Sequence, residues 1–335
     1  MKTYRGRFAQ VCDADNLRRA CEAAARGKRH QPEVAGFLFH RDWRLRRLQM
    51  LLQTQVYRPL PGRLQLIRDP KPRAIVITPF ENRVVQHALC DVLEPLLSRH
   101  YIHDTYACLK GRGTHRAVLR LKHFMQTHRY VLQLDLKKYF LSIPRERLMQ
   151  TLERQVPDAP LLALIRRIIE QQPWLYDDAS VRLHLGDPAF QSAPGCGLAI
   201  GHLTSQVFSN FYLNSLDHFI KRELKIGGYI RYMDDLTVLG NSRAQLHQWT
   251  REIRAFVTER LGLRLNEQRI RIHPCTAKVL FLGYRVGREG IGPGKRLLGR
   301  LRRLVQRSVW RPLSPHRLLR LKHSLTAYRG LLLPV

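Results

Sequence analysis

Acidic residues are scarce in this sequence. Of its 335 residues, 26 are Asp or Glu against 58 Lys or Arg, a formal net charge of +32. An excess of that size strains a compact chain by self-repulsion unless a polyanion takes it up, and phosphate backbones are the commonest polyanions. Nucleic acid is therefore the expected ligand, with a basic membrane-surface protein as the rival. Long apolar runs are missing too: no stretch approaches the ~18 residues that a bilayer span needs, and none reads as a signal peptide. No membrane association is expected. The six cysteines (Cys12, Cys21, Cys90, Cys108, Cys196 and Cys275) lie far apart with no CxxC pair, which argues against a zinc site and a secreted disulfide framework. Reduced thiols in a cytoplasm are the expectation. Internal repeats and low-complexity tracts are also lacking, and the length allows roughly two domains or one with subdomains.

What is present reads as mixed helix and strand. Residues 13–57 predict helices with basic faces, with Leu45, Leu48, Leu51, Leu52 and Val56 at helical spacing among Arg44, Arg46 and Arg47. Residues 64–78 alternate like a hairpin that turns between Pro70 and Pro72. Helices are expected near 80–98, 114–127, 145–155, 161–171 and 243–260. Strands are expected at 130–136 and 229–239, with shorter ones near 263–272 and 278–286 and basic helices from there to the end. Between Val207 and Ile220 apolar residues recur every three or four positions, which predicts one long buried helix over 203–224, capped by Thr204 or Ser205. Residues 173–199, rich in Asp, Pro and Gly, predict an irregular stretch. The Gly-rich βαβ turn is missing, so the expected class is α+β, antiparallel strands backed by helices, rather than a doubly wound sheet.

Two adjacent carboxylates, Asp234 and Asp235, interrupt the apolar run GYIRYMDDLTVL. A buried strand could not hold them, whereas a hairpin turning tightly at Met233 to Asp235 would present them at its tip. Asp135 is a further isolated carboxylate, in the apolar run VLQLDL. Buried charge without a partner costs on the order of several kcal/mol. Taken singly, each fits a strand end or a surface ion pair. Together, on so basic a chain, they point to a shared divalent metal.

Asp135 with Phe140, followed about a hundred residues later by YMDD, resembles the palm of a reverse transcriptase. The resemblance runs from about residue 60 to 330 in family order. RDPKPRAIVIT with ENRVVQHAL resembles the first fingers block, and YACLKGRGTHRAV the second. LDLKKYFLSI carries the first metal aspartate, GLAIGHLTSQVFSN is similar to the fourth block, YIRYMDDLTVL to the fifth, LGLRLNEQRIRI to the sixth and VLFLGYRV to the primer grip. The resemblance implies a right-hand polymerase: an N-terminal extension and fingers over 1–130, a palm over 131–286 with an insertion-like stretch at 173–193, and a short helical thumb over 287–335.

The implied chemistry is two-metal phosphoryl transfer by an RNA-directed DNA polymerase. Two Mg²⁺ ions ~3.5–4 Å apart, replaceable by Mn²⁺, activate the primer 3′-hydroxyl and stabilise the leaving pyrophosphate. By resemblance Asp135 and Asp234 bridge both ions, Asp235 ligates or supports one, and the carbonyl of Leu136 helps hold the nucleotide's ion. Lys71 and Arg73 match the pair that grips the incoming triphosphate, or else form a solvated turn. Phe140 matches the bulky gate against a ribose 2′-hydroxyl, or else is a core aromatic. Phe281, Leu282, Gly283 and Tyr284 fall on the primer grip, and Lys110 and Arg112 on template-primer contacts. Where the family usually has a lysine in the sixth block this chain has Arg269, which hardly releases a proton.

The fourth block narrows the resemblance. Group II intron and retron enzymes read QGxxxSP there, whereas IGxxxSQ, here Ile200, Gly201, Ser205 and Gln206, is similar to the reverse transcriptases of diversity-generating retroelements. That implies copying of a template RNA into cDNA with errors concentrated at template adenines. The implied partners are the structured template RNA and its RNA/DNA duplex, deoxynucleotides, and a small basic helical accessory protein. Ile200 lacks the hydrogen-bonding groups of the glutamine that high-fidelity relatives carry there, which implies loosened fidelity; the plainer reading is that it packs ahead of the following helix.

From Arg285 to Val335 stand 13 Lys or Arg and one acid, Glu289. Leu297, Leu301, Leu304 and Val305 form an apolar stripe among Arg296, Arg300, Arg302, Arg303 and Arg307. A thumb helix with its basic side along a template-primer duplex fits that pattern, as does a merely solvated basic face. Two other functions stay open: a different bacterial reverse transcriptase, group II-like or of phage defence, and a non-catalytic RNA-binding protein with a decayed palm.

Overall fold

The structure is a computed structural model that describes Tyr4 and residues 6–68, 72–171, 178–185, 193–309 and 314–332. The chain forms two compact units. Met1–Ile102, Leu136–Asp217 and Arg254–Leu265 make the first; His103–Asp135, His218–Ile253 and Asn266–Val335 make the second.

Helices dominate the first unit. Phe80–Leu97 buries Val84, Val85, Ala88, Leu89, Leu93 and Leu97, residues spread around its circumference, so helices Ala14–Ala25 and Leu203–Tyr212 both pack on it. Its buried polar residues have partners, as burial requires. Asn82 accepts from the Tyr57 hydroxyl at 3.0 Å and the Leu60 amide at 2.9 Å, and donates to the Leu60 carbonyl at 2.7 Å. In helix Arg41–Gln53 the predicted stripe is buried at Leu45, Leu48 and Leu52, while Val56 lies beyond the helix and is exposed. Strands β1 (Arg63–Ile67) and β2 (Arg73–Ile77) form the expected antiparallel hairpin; its turn, with Lys71, lies outside the described residues. Ala74 and Val76 of β2 share a small core with Leu141, Val181 and Ala199, flanked by Ile200.

Three expectations in this region are corrected. The stretch 173–199 holds a short helix, Ala179–His184, which Asp178 caps through the Ser180 amide at 2.7 Å. Residues 203–224 do not form one helix: Leu203–Tyr212 and Asn214–His218 are followed by a wider π turn at Phe219–Glu223. Apolar spacing survives a change of winding over a single turn, so the pattern alone does not register it. Neither Thr204 nor Ser205 caps that helix. Both are buried inside its first turn, and the Leu203 amide instead donates at 3.2 Å to Gln86 of helix Phe80–Leu97.

The second unit rests on an antiparallel sheet of order β4-β5-β3-β6, where β3 is Tyr130–Asp135, β4 Tyr229–Tyr232, β5 Asp235–Gly240 and β6 Arg271–Pro274. The strand expected over 263–272 is shorter than predicted, because Glu267–Arg269 winds as a 3₁₀ turn ahead of β6. A second antiparallel sheet joins β7 (Val279–Phe281), β8 (Tyr284–Val286) and β9 (Ile291–Pro293). Helix Thr114–Thr127 places Ala117, Val118, Leu121 and Met125 in one core with Val131, Ile230 and Leu239 of the first sheet and Val279, Phe281 and Val286 of the second. Two basic helices, Lys295–Val309 and Pro315–Leu332, follow. Among the described residues no helix is long and apolar enough to cross a membrane.

One glycine of the first unit is demanded twice. Gly201 has φ +112°, and a Cβ there would stand 2.7 Å from both the Val76 carbonyl oxygen and Ile75 Cγ2. The loop is drawn in that close by the Val76 amide, which donates to the Ile200 carbonyl at 2.7 Å. Gly201→Ala should therefore cost about 2–4 kcal/mol through strain and overlap. Gly195, at φ +75° with open space around it, is the control, and its alanine variant should cost about 1 kcal/mol. Thermal unfolding of the two variants checks this: the Gly201 variant should melt several degrees below the Gly195 variant, and equal midpoints would refute the steric reading.

Candidate active site

Two residues, Met233 and Asp234, join β4 to β5. Met233 lies at φ +55°, in the left-handed region where a non-glycine residue costs about 1–3 kcal/mol and where strain tends to mark function. Asp235 opens β5. It is paired on one side with Tyr232 of β4 and on the other with Asp135, the last residue of β3. Directly paired residues of antiparallel strands share a face, with Cα atoms ~4.5–5.5 Å apart. Asp135 and Asp235 are therefore neighbours on one face, and Asp234 stands beside them in the turn. All three are half-buried, while Leu236, Val238 and Leu239 just inside are fully buried. The strands carry their charge where the core stops.

Carboxylates directly opposite each other repel, and a cation is the natural compensation. Carboxylate oxygens at adjoining positions suit hard divalent ions in donor chemistry and backbone placement. Among the described residues no three His, Cys, Asp or Glu side chains are gathered closely enough to hold a metal ion.

Asp135 is held by the sixth block. The Asn266 amide donates to its carbonyl at 2.7 Å, Asn266 Nδ2 donates to Oδ2 at 2.9 Å, and Arg269 Nε lies 3.5 Å from the same oxygen. Asn266 belongs to the sixth block but has no sequence signal of its own that marks it. Arg231 was not expected in the site either; its side chain is fully buried with Nη1 3.4 Å from the Met233 carbonyl, and a charge inside an apolar strand was the available signal. The Arg231 amide donates to the Asp104 carbonyl at 2.9 Å. The Asp104 carboxylate accepts from Arg120 Nε at 2.8 Å and the Tyr106 hydroxyl at 3.2 Å, with His103 Nδ1 at 3.2 Å and Lys221 Nζ at 3.7 Å. Burial acts to raise this carboxyl, but the hydrogen bonds from Arg120 and His103 outweigh it and hold it below the usual carboxylate range.

The first unit carries other expected site residues. Exposed Arg73 opens β2, half-buried Phe140 accepts through its carbonyl from the Leu198 amide at 2.8 Å, and Ile200 flanks the core that contains Ala74 and Val76. Ser205 is buried, Gln206 half-buried, and the Leu136 side chain is buried. In the second unit, Lys110 is exposed, while Arg112 donates to the His103 and Thr105 carbonyls at 2.9 and 2.5 Å and so braces its own loop. Of the primer-grip residues, Phe281 and Tyr284 belong to the core, and Leu282 and Gly283 form the turn between them at φ +50° and +90°. Arg296 and Arg303 are exposed and Arg300 is half-buried; the Arg307 side chain lies outside the described residues. The apolar stripe of that helix is only half-covered at Leu297, Leu301 and Leu304 and exposed at Val305.

A family model for reverse transcriptase (RNA-dependent DNA polymerase) matches residues 68–286. Protein YkfC of Escherichia coli K12 is 25% identical over 272 residues, which cover 70% of this chain and 68% of that protein. The group II intron-encoded protein LtrA of Lactococcus lactis subsp. cremoris is 20% identical over 317 residues, 74% of this chain and 50% of LtrA. Telomerase from Candida albicans, solved with a fragment of telomeric RNA, shares 12% identity at a TM-score of 0.51, covering 76% of this chain and 52% of that one. At such identity the likeness shows the fold alone, the right-hand polymerase fold expected from the sequence. The chain spans about half the length of LtrA and of that telomerase chain. The family match takes in well over half of the sequence, including all three carboxylates and the strained turn between β4 and β5, and the chain belongs to the reverse transcriptases.

Proposed function

We propose that this reverse transcriptase copies a structured template RNA into cDNA with errors concentrated at template adenines, in the manner of diversity-generating retroelements. The observation that carries the catalytic reading is the pairing of Asp135 with Asp235 beside the turn that bears Asp234. The finer reading rests on the fourth block, Ile200 to Gln206, which resembles that of diversity-generating enzymes in having isoleucine where other reverse transcriptases carry a glutamine.

Reverse transcriptases generally use divalent ions, and two Mg²⁺, or Mn²⁺, bound at the three aspartates would activate the primer 3′-hydroxyl and offset charge on the leaving pyrophosphate. Asp135 and Asp234 would be the principal ligands, Asp235 would support them, and the Leu136 carbonyl would assist at the nucleotide's ion. Lys71 and Arg73 grip the triphosphate, and Phe140 excludes a 2′-hydroxyl. Leu282 and Gly283 steer the primer end, with Phe281 and Tyr284 anchoring their turn. Lys110, Arg112, Arg296, Arg300, Arg303 and Arg307 take phosphates of the template-primer duplex. A small basic helical accessory protein and the template RNA complete the assembly in the cytoplasm. The second reading, a group II intron-like enzyme without adenine bias, is favoured by the similarity to LtrA.

Asp234→Asn keeps the side-chain shape and removes a charged ligand, so primer extension on RNA in Mg²⁺ should fall by more than about 100-fold with circular dichroism unchanged. A near wild-type rate would sink the assignment. Phe140→Ala should raise ribonucleotide incorporation relative to deoxynucleotide in competition assays, and an unchanged ratio in an active variant would return Phe140 to the core aromatics. For Ile200→Gln, sequencing of cDNA made on one defined RNA should find fewer adenine-templated errors than wild type, at about tenfold per 1.4 kcal/mol of regained discrimination. An equal or higher adenine error frequency would remove Ile200 from the mechanism, and wild-type cDNA without adenine bias would favour the group II-like reading.

A further inference from the structure

Asp135 meets Arg269, the last residue of the 3₁₀ turn ahead of β6. We propose that Arg269 is a displaceable counter-cation of Asp135, that binding of a divalent ion at this carboxylate and release of Arg269 are one event, and that Asn266 is the positioning residue that keeps Asp135 in place throughout. The inference rests on the reading of Asp135 as a metal ligand.

The two partners differ in exposure and in how firmly they are held. The Asp135 side chain is 13% exposed and Arg269 45%. Asn266 ties Asp135 at two points, main-chain carbonyl and Oδ2, so the carboxylate cannot follow the guanidinium away. Arg269 ends a 3₁₀ turn and carries a long side chain half in water, so it can leave without breaking a strand. The contact is also long. At 3.5 Å, Nε is within ion-pair range but long for a hydrogen bond. A Mg²⁺ ligand oxygen must lie about 2.0–2.1 Å from its ion, and an ion so placed would repel a guanidinium at the same oxygen. Arginine and divalent ion are thus alternatives at Oδ2.

An ion pair this exposed is weak, so Arg269 competes without blocking, and its removal should tighten metal binding by about two- to five-fold. The test is Mn²⁺ binding to the full-length protein without nucleic acid or nucleotide, read from the electron paramagnetic resonance signal of free Mn²⁺. Four variants are compared with wild type: Arg269→Gln, Arg271→Gln, Asn266→Ser and Asp135→Asn. Arg271 is exposed and pairs with Gln133 in the sheet, so its substitution removes the same charge away from the Asp135 contact. Arg269→Gln should tighten Mn²⁺ binding two- to five-fold and Arg271→Gln less than twofold. Asn266→Ser, which keeps the main-chain bond, should weaken binding, and so should Asp135→Asn. If Arg269→Gln binds no more tightly than Arg271→Gln while Asp135→Asn is weakened, the exchange is overturned and the metal site stands. Unchanged binding in Asn266→Ser removes the positioning role. Wild-type binding by Asp135→Asn overturns the metal reading and the exchange together.

Discussion

Asp135 and Asp235 face each other across the ends of β3 and β5, and that enforced like-charge neighbourhood is the constraint around which the second unit is organised. In a partly dry setting such repulsion is far stronger than in water, and it has to be offset by polar groups fixed nearby. Several are. Asn266 and Arg269 bear on Asp135 from the turn ahead of β6, and Arg231 reaches the Met233 carbonyl from inside β4. Arg231 is in turn bonded through its backbone to the loop of Asp104, whose carboxylate Arg120 and Lys221 surround. These contacts are directed at main chain as much as at side chains, so they set where the turn lies as well as what charge it meets.

In the first unit the governing constraint is space. The loop of Ile200 approaches β2 until one carbonyl and one amide are 2.7 Å apart, a closeness that leaves no room for a Cβ at Gly201. The Phe140 carbonyl is bonded to the Leu198 amide, two residues before Ile200. Phe140 is thus bonded through its backbone to the short segment that contains Ile200, and Ile200 in turn to Val76 of β2. Discrimination between similar nucleotides depends on small displacements, which is why residues proposed for it stand on backbone fixed in this way.

Scarcity makes the placement of acids informative. Asp13, Asp158 and Asp178 cap helices, and Glu22, Glu81 and Glu146 meet arginines. Asp104 lies inside a network of cations. Against that background, three carboxylates at adjoining positions of one sheet end stand out, on a chain whose excess cations suit a phosphate backbone.

Much was legible in the linear chain because its signals are local. The hairpins around residues 70 and 234, the helices at 80–97, 114–127 and 243–259, and the placing of the carboxylates at a tip follow from alternation, helical spacing and the cost of buried charge. The family blocks stand in order along the sequence. Other features were not legible: Gln86 serving as the helix cap in place of Thr204 or Ser205, the burial of Arg231, the hold of Asn266 on Asp135, and the short helix at Ala179–His184. The sequence by itself determined the basic character, the kinds of element and the residues equipped for chemistry. Only the tertiary structure decided that Asp135 registers with Asp235, a hundred positions away, and which distant side chains hold them. Periodicity says that a segment is a strand and which face is apolar, whereas register and long-range hydrogen bonds are selected by the joint packing of segments far apart in the chain.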